Sequence, residues 1–364
     1  MNEQVRAQGR AGVRSGGGAH MGGTSRTRKA GAGVAGVLAG ALALALTGCG
    51  VVSTKEDRRF AEKLAGTYYP GVLKVIEAHK LIPHAGGSEI TFAMTDDPDA
   101  VVRMRVDADA GTCNTHECRG VMDDAVERGR SEAAALRVLV DTFRRCGHEV
   151  IAIEPSTGAP WIVASPTNAS VTALLKDIGS CVRQWKEQAG SGKEGTEVKG
   201  ASVNLASPSV AEGRPTGKKS QPTAMRLGAT SLLAALSSHN YYSVGYAATD
   251  GRIDPGSGSA RIVRPFEARE KFTEAVHSAV RSRLRAAHPR VQVSDYDWVW
   301  RLEPGTVDRV TGYVLYCEEP DGDKSCLGDQ AVLVTADLHG EPLGELRHVG
   351  RVREGRGPLQ LPPM

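Results

Sequence analysis

Apolar and polar positions alternate with two periods along this chain, and the periods change at recognisable punctuation. Residues 55–80 read as a helix bent at Pro70-Gly71. Residues 88–94 and 100–107 alternate as strands around the turn at 95–99. Ser131 is a good N-cap, with Glu132 favourable in the first turn. The helix it opens carries Leu136, Leu139, Val140, Phe143 and Cys146 on one stripe and stops at Gly147. Two short strands, 149–154 and 161–165, flank the turn at 155–158. Asn168 or Ser170 then caps a helix to about Gln188, whose stripe is Val171, Leu174, Leu175, Ile178, Cys181 and Trp185.

The second half opens with a helix over 223–238. Strands at 241–247 and 260–266 flank a Gly-rich loop, 250–259. Residues 267–288 form an amphipathic helix with Phe272, Val276, Val280 and Leu284 in line. Strands at 291–302 and 306–318 turn at Glu303-Pro304-Gly305, and 331–338 and 343–348 make a hairpin. Between the halves, 189–222 is dense in Gly, Ser, Lys and Pro and reads as a flexible linker, with room for a short strand near 201–205. The expectation is an α+β fold with domains at 55–188 and 223–350, each packing helices on one face of a mainly antiparallel sheet. The shared element order raises a duplicated module as one explanation. The tail, 351–364, reads as disordered.

The amino terminus follows a different plan. Arg26, Arg28 and Lys29 precede an Ala/Leu/Gly/Val run over 30–46, which ends in Leu46-Thr47-Gly48-Cys49. A cationic segment, an apolar segment and a small-residue cleavage site make an export signal, residues 1–48. A membrane span needs about 20 apolar residues, and this run is shorter and rich in Gly and Ala. Met21 begins a better-proportioned signal than Met1 does. The last four residues resemble the lipobox of bacterial lipoproteins, and the Ala/Gly/Arg-heavy, Lys-poor composition resembles uncharacterised lipoproteins of actinomycetes (Streptomyces-type). The resemblance implies that Cys49 becomes the first mature residue, thioether-linked to diacylglycerol. The protein would then sit on the cell membrane, lipid-anchored on its extracytoplasmic face. Residues 49–54 are a short tether. The five after Cys49 reach under roughly 20 Å, so the first helix would be held near the lipid headgroups.

Cleavage changes the charge balance. Six of the 45 bases and one of the 42 acids lie in residues 1–48, which leaves 39 against 41 and a net charge of −2. The nominal basicity belongs to targeting and gives no support for nucleic-acid binding. Aromatic residues are sparse at 5%, so the cores lean on Ala, Val and Leu, which bury less area each. Crosslinks would help, and besides Cys49 there are six cysteines. In an oxidising compartment they read as three disulfides. Proximity suggests Cys113–Cys118, Cys146–Cys181 and Cys317–Cys326. If both strands between them are full length, the helices bearing Cys146 and Cys181 run antiparallel, and the two sulfurs could lie too far apart to bond.

Motifs for catalysis are weak. Gly213-Arg214-Pro215-Thr216-Gly217-Lys218-Lys219-Ser220 misses the phosphate-loop spacing by one residue and puts a second lysine where Ser or Thr belongs. His116 and Glu117 lie between Cys113 and Cys118, without the second ligand pair that zinc needs. Asp107 and Asp109 near Gly111, and Asp321 and Asp323 near Cys326, lack the spacing of a calcium loop. G-x-S-x-G, S-x-x-K and H-E-x-x-H are absent. Arg281, Arg283, Arg285 and Arg290 crowd a helix end, where they either complement the negative helix terminus or meet anionic lipid or wall polymer. Tyr241, Tyr242, Trp298 and Trp300 are strand residues suited to a core or to a recognition surface. The sequence implies no cofactor, metal or catalytic residue. It points to a non-enzymatic binding module whose partners are the membrane, through Cys49, and an envelope protein or wall polymer. The alternative is an envelope hydrolase whose site is dispersed along the chain.

Overall fold

The computed structural model describes residues 53–81, 86–190, 198–295, 299–319, 326–355 and 357–363. The expected export signal, Cys49, Trp298 and the acidic pair Asp321 and Asp323 lie outside them.

Helix α1 (Lys55–Tyr68) leads into strands β1 (Leu73–Lys80), β2 (Ser88–Met94), β3 (Val101–Asp107) and β4 (Thr112–Cys113). These four pair antiparallel in chain order. The expected long helix over 55–80 is therefore corrected: its second half is β1. Pro70 has no N–H to continue the helix, and Gly71 takes φ +75°, which ends it. Ile90, Phe92 and Met94 of β2 and Val102, Met104 and Val106 of β3 face Ala61, Leu64 and Ala65 of α1. Asp57, 5% exposed, ties this layer together. It accepts hydrogen bonds from the Ser88 hydroxyl at 2.5 Å, the Ala108 amide at 2.9 Å and Lys80 Nζ at 3.3 Å.

Burial alone would raise the Asp57 carboxyl, but those three donors outweigh it and hold the group below the ordinary carboxylate range. A depressed folded value contributes stability above the unfolded value of about 3.9, lost as pH falls through the folded one. Asp57→Ala is expected to cost about 1–3 kcal/mol at pH 7, because it strands the Ser88 and Ala108 donors. Urea midpoints should show the gap between variant and parent narrowing as the pH is taken below 4. A gap that is unchanged at low pH would contradict this role.

Helix α2 (Cys118–Arg145, 28 residues) is shared by both sheets. Its first half places Met122, Ala125 and Val126 on the small sheet. Its last turns carry Leu139 and Phe143 to the large one. The helix starts well before the expected cap at Ser131, because its early stripe is built from Ala, Gly and Met rather than large aliphatics. At Gly129 a Cβ would meet the Val101 carbonyl at 2.6 Å, so only glycine lets helix and strand approach there.

The large sheet takes β5 (Val150–Ile153), β6 (Pro160–Val163), β7 (Gly200–Ala206), β8 (Tyr241–Thr249), β9 (Arg252–Ile253), β10 (Ser259–Val263), β11 (Gln292–Val293), β12 (Arg301–Leu302), β13 (Arg309–Cys317), β14 (Gln330–Asp337) and β15 (Arg347–Arg351). Its order is β15-β14-β13-β12-β10-β8-β7-β6-β5, with β11 beside β13 and β9 beside β8. Every described pairing is antiparallel except β6 with β7, which are joined through α3 (Val171–Gly190). The architecture is thus α+β, with two regions that each combine helices and a mainly antiparallel sheet. The sheets do not repeat one plan, having four strands and eleven. Nor does the large one stop at 189–222. That stretch holds β7, paired on both sides, and α4 (Pro208–Glu212). Glycine and serine there make a strand rather than a tether because neighbouring strands supply both ladders.

The expected helix over 223–238 is two, α5 (Thr223–Leu227) and α6 (Thr230–Ser237), separated at Gly228-Ala229. Helix α7 (Phe266–Leu284) buries Phe272, Val276, Val280 and Leu284, as its periodicity predicts. Of the strand expected over 291–302, the described residues pair only as β11 and β12. The tail is ordered where described. Val352, Leu359 and Leu361 pack on Tyr313 and Leu315, and Tyr313 donates to the Pro362 carbonyl at 3.0 Å.

All three disulfides form in the expected pairing. Cys146 caps α2 and Cys181 lies within α3, with Cα atoms 6.1 Å apart, so the feared separation does not arise. Phe143 and Trp185 pack edge to face beside this bond, with ring centroids 6.2 Å apart.

Candidate functional site

The two faces of the large sheet are covered unequally. One face is packed by the end of α2, by α3 and by α7, through Val203, Leu205, Val244, Tyr246, Val310, Val314 and their neighbours. Among the described residues, the other face is covered only at its ends. At one end α4 and α6 set Ala211, Leu232 and Leu236 on Trp161 and Ala206. At the other the tail covers Tyr313 and Leu315. Between them the strands β7, β8, β10 and β12 present a polar floor, about 15 Å across at the usual strand spacing.

Register builds this floor. Asn204 faces Ser243, Ser243 faces Arg261, Arg261 faces Arg301, Arg301 faces Thr311, and Thr311 faces Thr335. Directly opposed residues share a face, so these six form one cross-strand row. Arg261 and Arg301 are both exposed. The depression above them, of about 470 Å³, is lined by Ser202, Ser243, Gly245, Ser259, Val299, Arg261 and Arg301 among others, and none of the described lining residues is acidic. Arg301 Nη1 donates to the Ser259 hydroxyl at 3.0 Å. Among the described residues no carboxylate pairs with either guanidinium. At the Arg261 end, burial pushes the Tyr241 hydroxyl up while the Arg261 charge opposes it. Arg261 and Val299 also line a neighbouring hollow of about 460 Å³, where Arg264 lies 3.9 Å above the Phe272 ring.

The residues singled out from the sequence mostly take structural roles. Cys113 and Cys118 are bonded to each other, which leaves exposed His116 and Glu117 without thiolate partners. The Asp107 carboxylate accepts the Ala110 amide in its own turn, at 3.0 Å. The 213–220 loop follows α4 and precedes the five-residue α5, so it is not a strand–loop–helix phosphate site. Arg283 is spent on the carbonyls of Pro342 and Gly344, and Arg290 pairs with Glu319. Trp300 is buried against Phe272, with centroids 5.1 Å apart, and Tyr241 stacks on Trp161 at 4.4 Å. One grouping has ligand-like geometry: His148, Asp177 and Cys181, whose donor atoms lie within 4.8 Å of one another. His148 Nε2 meets Asp177 Oδ2 at 3.1 Å. The Cys181 sulfur is committed to Cys146, however, and a disulfide sulfur does not supply the thiolate that a metal takes.

Sequence reasoning did not reach Arg261 and Arg301. They lie in different strands, and only pairing through β10 and β12 brings them together. No family model, curated protein or solved structure matches the chain.

Proposed function

We propose that this chain is a lipoprotein anchored through Cys49 to the outer face of the cell membrane, and that its folded body is a non-enzymatic binding module for a component of the cell envelope. The anchor reading is supported by the signal-like segment and its Leu46-Thr47-Gly48-Cys49 ending. The observation that carries the binding reading is the polar floor left open between α6 and the tail, lined by small hydroxyl residues and two exposed arginines. Antiparallel sheets commonly leave one face to solvent, so what favours a partner here is the depression between two covered ends. The competing hydrolase reading has its nearest support in the His148–Asp177 pair, whose sulfur neighbour is locked in a disulfide.

Gly245 offers a clean test. A Cβ built there meets nothing within 4 Å, so a large side chain would fill the depression without disturbing the strand. Gly245→Trp is expected to keep the parent melting temperature and to lose retention on isolated, protein-stripped cell-envelope material. Equal retention of the variant and the parent would count against the floor as the working surface.

A further inference from the structure

The geometry points to a phosphodiester flanked by free hydroxyls as the ligand of this floor, held between Arg261 and Arg301; the inference rests on the binding reading above. Two like charges directly opposite each other across a strand pair repel, which disfavours the sheet unless something compensates. Their Cβ atoms should lie about 5 Å apart, close enough for two guanidinium forks to converge on one tetrahedral oxyanion. Among the described residues, no acidic residue lines the depression to take that role. A guanidinium fits phosphate oxygens in a bidentate way, which an ammonium does not. Around the pair, Ser243 faces Arg261, Ser259 accepts from Arg301, and Ser202 faces Gly245 one row along. A ligand that carries hydroxyls on either side of its phosphate matches that sequence of cation and hydroxyl. Gly245 and Ala247 add no side-chain bulk beyond a methyl, which leaves the chain of such a ligand room to run along the strands. This chemistry has two sources outside the membrane: a polyol-phosphate polymer of the wall, or the headgroup of a glycerol-bearing phospholipid.

The test is calorimetric titration of the full chain, held in uncharged maltoside micelles at low salt. The probes are soluble poly(glycerol phosphate), micelles doped with phosphatidylglycerol, and dextran as an uncharged polyol. Saturable binding to a phosphodiester probe is expected, weakened at least about tenfold by Arg261→Gln and by Arg301→Gln, since each removes one charge-assisted fork. Arg285→Gln, which changes an exposed arginine at the end of α7, should leave binding within about twofold. Melting curves of the two floor variants should be no lower than the parent's, because the opposed charges are relieved. Binding to the polymer alone assigns the wall polymer, and binding only to doped micelles assigns the headgroup. The inference is overturned if neither phosphodiester binds, if Arg285→Gln weakens binding as much as the floor variants do, or if the floor variants bind normally. Dextran binding blocked by Gly245→Trp but untouched by the arginine variants would overturn the phosphodiester and leave the binding surface standing. If Gly245→Trp blocks no probe that binds, the surface itself is refuted.

Discussion

Cys49→Ala is expected to move the protein from the membrane pellet to the soluble fraction almost completely. The expectation rests on the acyl chains as the proposed attachment. Among the described residues no helix is long and apolar enough to cross a membrane. Acyl chains contribute about 0.8 kcal/mol for each buried methylene, so two chains hold a protein far more tightly than surface charge can. The net charge of −2 expected after cleavage gives no general attraction to an anionic surface. If the floor binds phospholipid headgroups as well, a residual fraction should leave the pellet on a high-salt wash. A Cys49→Ala protein that stays in the pellet through salt and carbonate washes would refute anchoring at this cysteine.

The second large effect concerns the Cys146–Cys181 bond. Of the three disulfides it spans the longest stretch, with a sequence separation of 35 against 9 and 5. The chain-entropy argument gives it about 4 kcal/mol, against about 2 kcal/mol for Cys113–Cys118. It also joins the end of α2 to the middle of α3, the layer that covers one face of the large sheet. The paired substitution Cys146→Ala with Cys181→Ala should therefore lower the melting temperature by about 6 °C. The Cys113–Cys118 pair should lose roughly half as much when treated the same way. A loss under about 1 kcal/mol for the first pair, read from urea unfolding, would show that helix packing alone carries this layer.

Much of the fold follows from local signals. In α7, Phe272, Val276, Val280 and Leu284 are the buried residues and are also the ones that fall in line at helical spacing. In α3, Ile178, Cys181 and Trp185 behave the same way. The disulfides were legible because each pair lies close in sequence or falls on a helical apolar stripe. The misreadings share one cause, that neighbours distant in sequence decide the outcome. Residues Leu73–Lys80 contain Leu, Val and Ile at spacings a helix would also accept, and pairing with β2 makes them a strand. Residues Gly200–Ala206 sit in a stretch of linker-like composition that had room for a strand near 201–205, and β6 and β8 on either side draw them into the sheet as that strand. The tail lacks periodicity, yet Leu359 and Leu361 find an apolar face to cover. The candidate site is the extreme case. Arg261 and Arg301 carry no motif between them, and their meaning comes entirely from register.

If the floor is the working surface, composition alone would not reveal it. Of the helix-end arginines that stand out in the sequence, Arg283 holds the loop carbonyls of Pro342 and Gly344 and Arg290 pairs with Glu319. The functional candidates are two arginines among serines, in strands whose other face is ordinary core. A local cluster search finds the first group and passes over the second.

The proposed anchoring would fix the compartment in which the disulfides persist and in which an envelope ligand would be met. Mass spectrometry of the amino-terminal peptide from membrane-derived protein addresses it directly. The expected peptide begins at Cys49 and carries the mass of a diacylglyceryl group on its sulfur. A peptide that begins at Met1 or Met21, or one that begins near residue 49 with an unmodified thiol, would contradict the account.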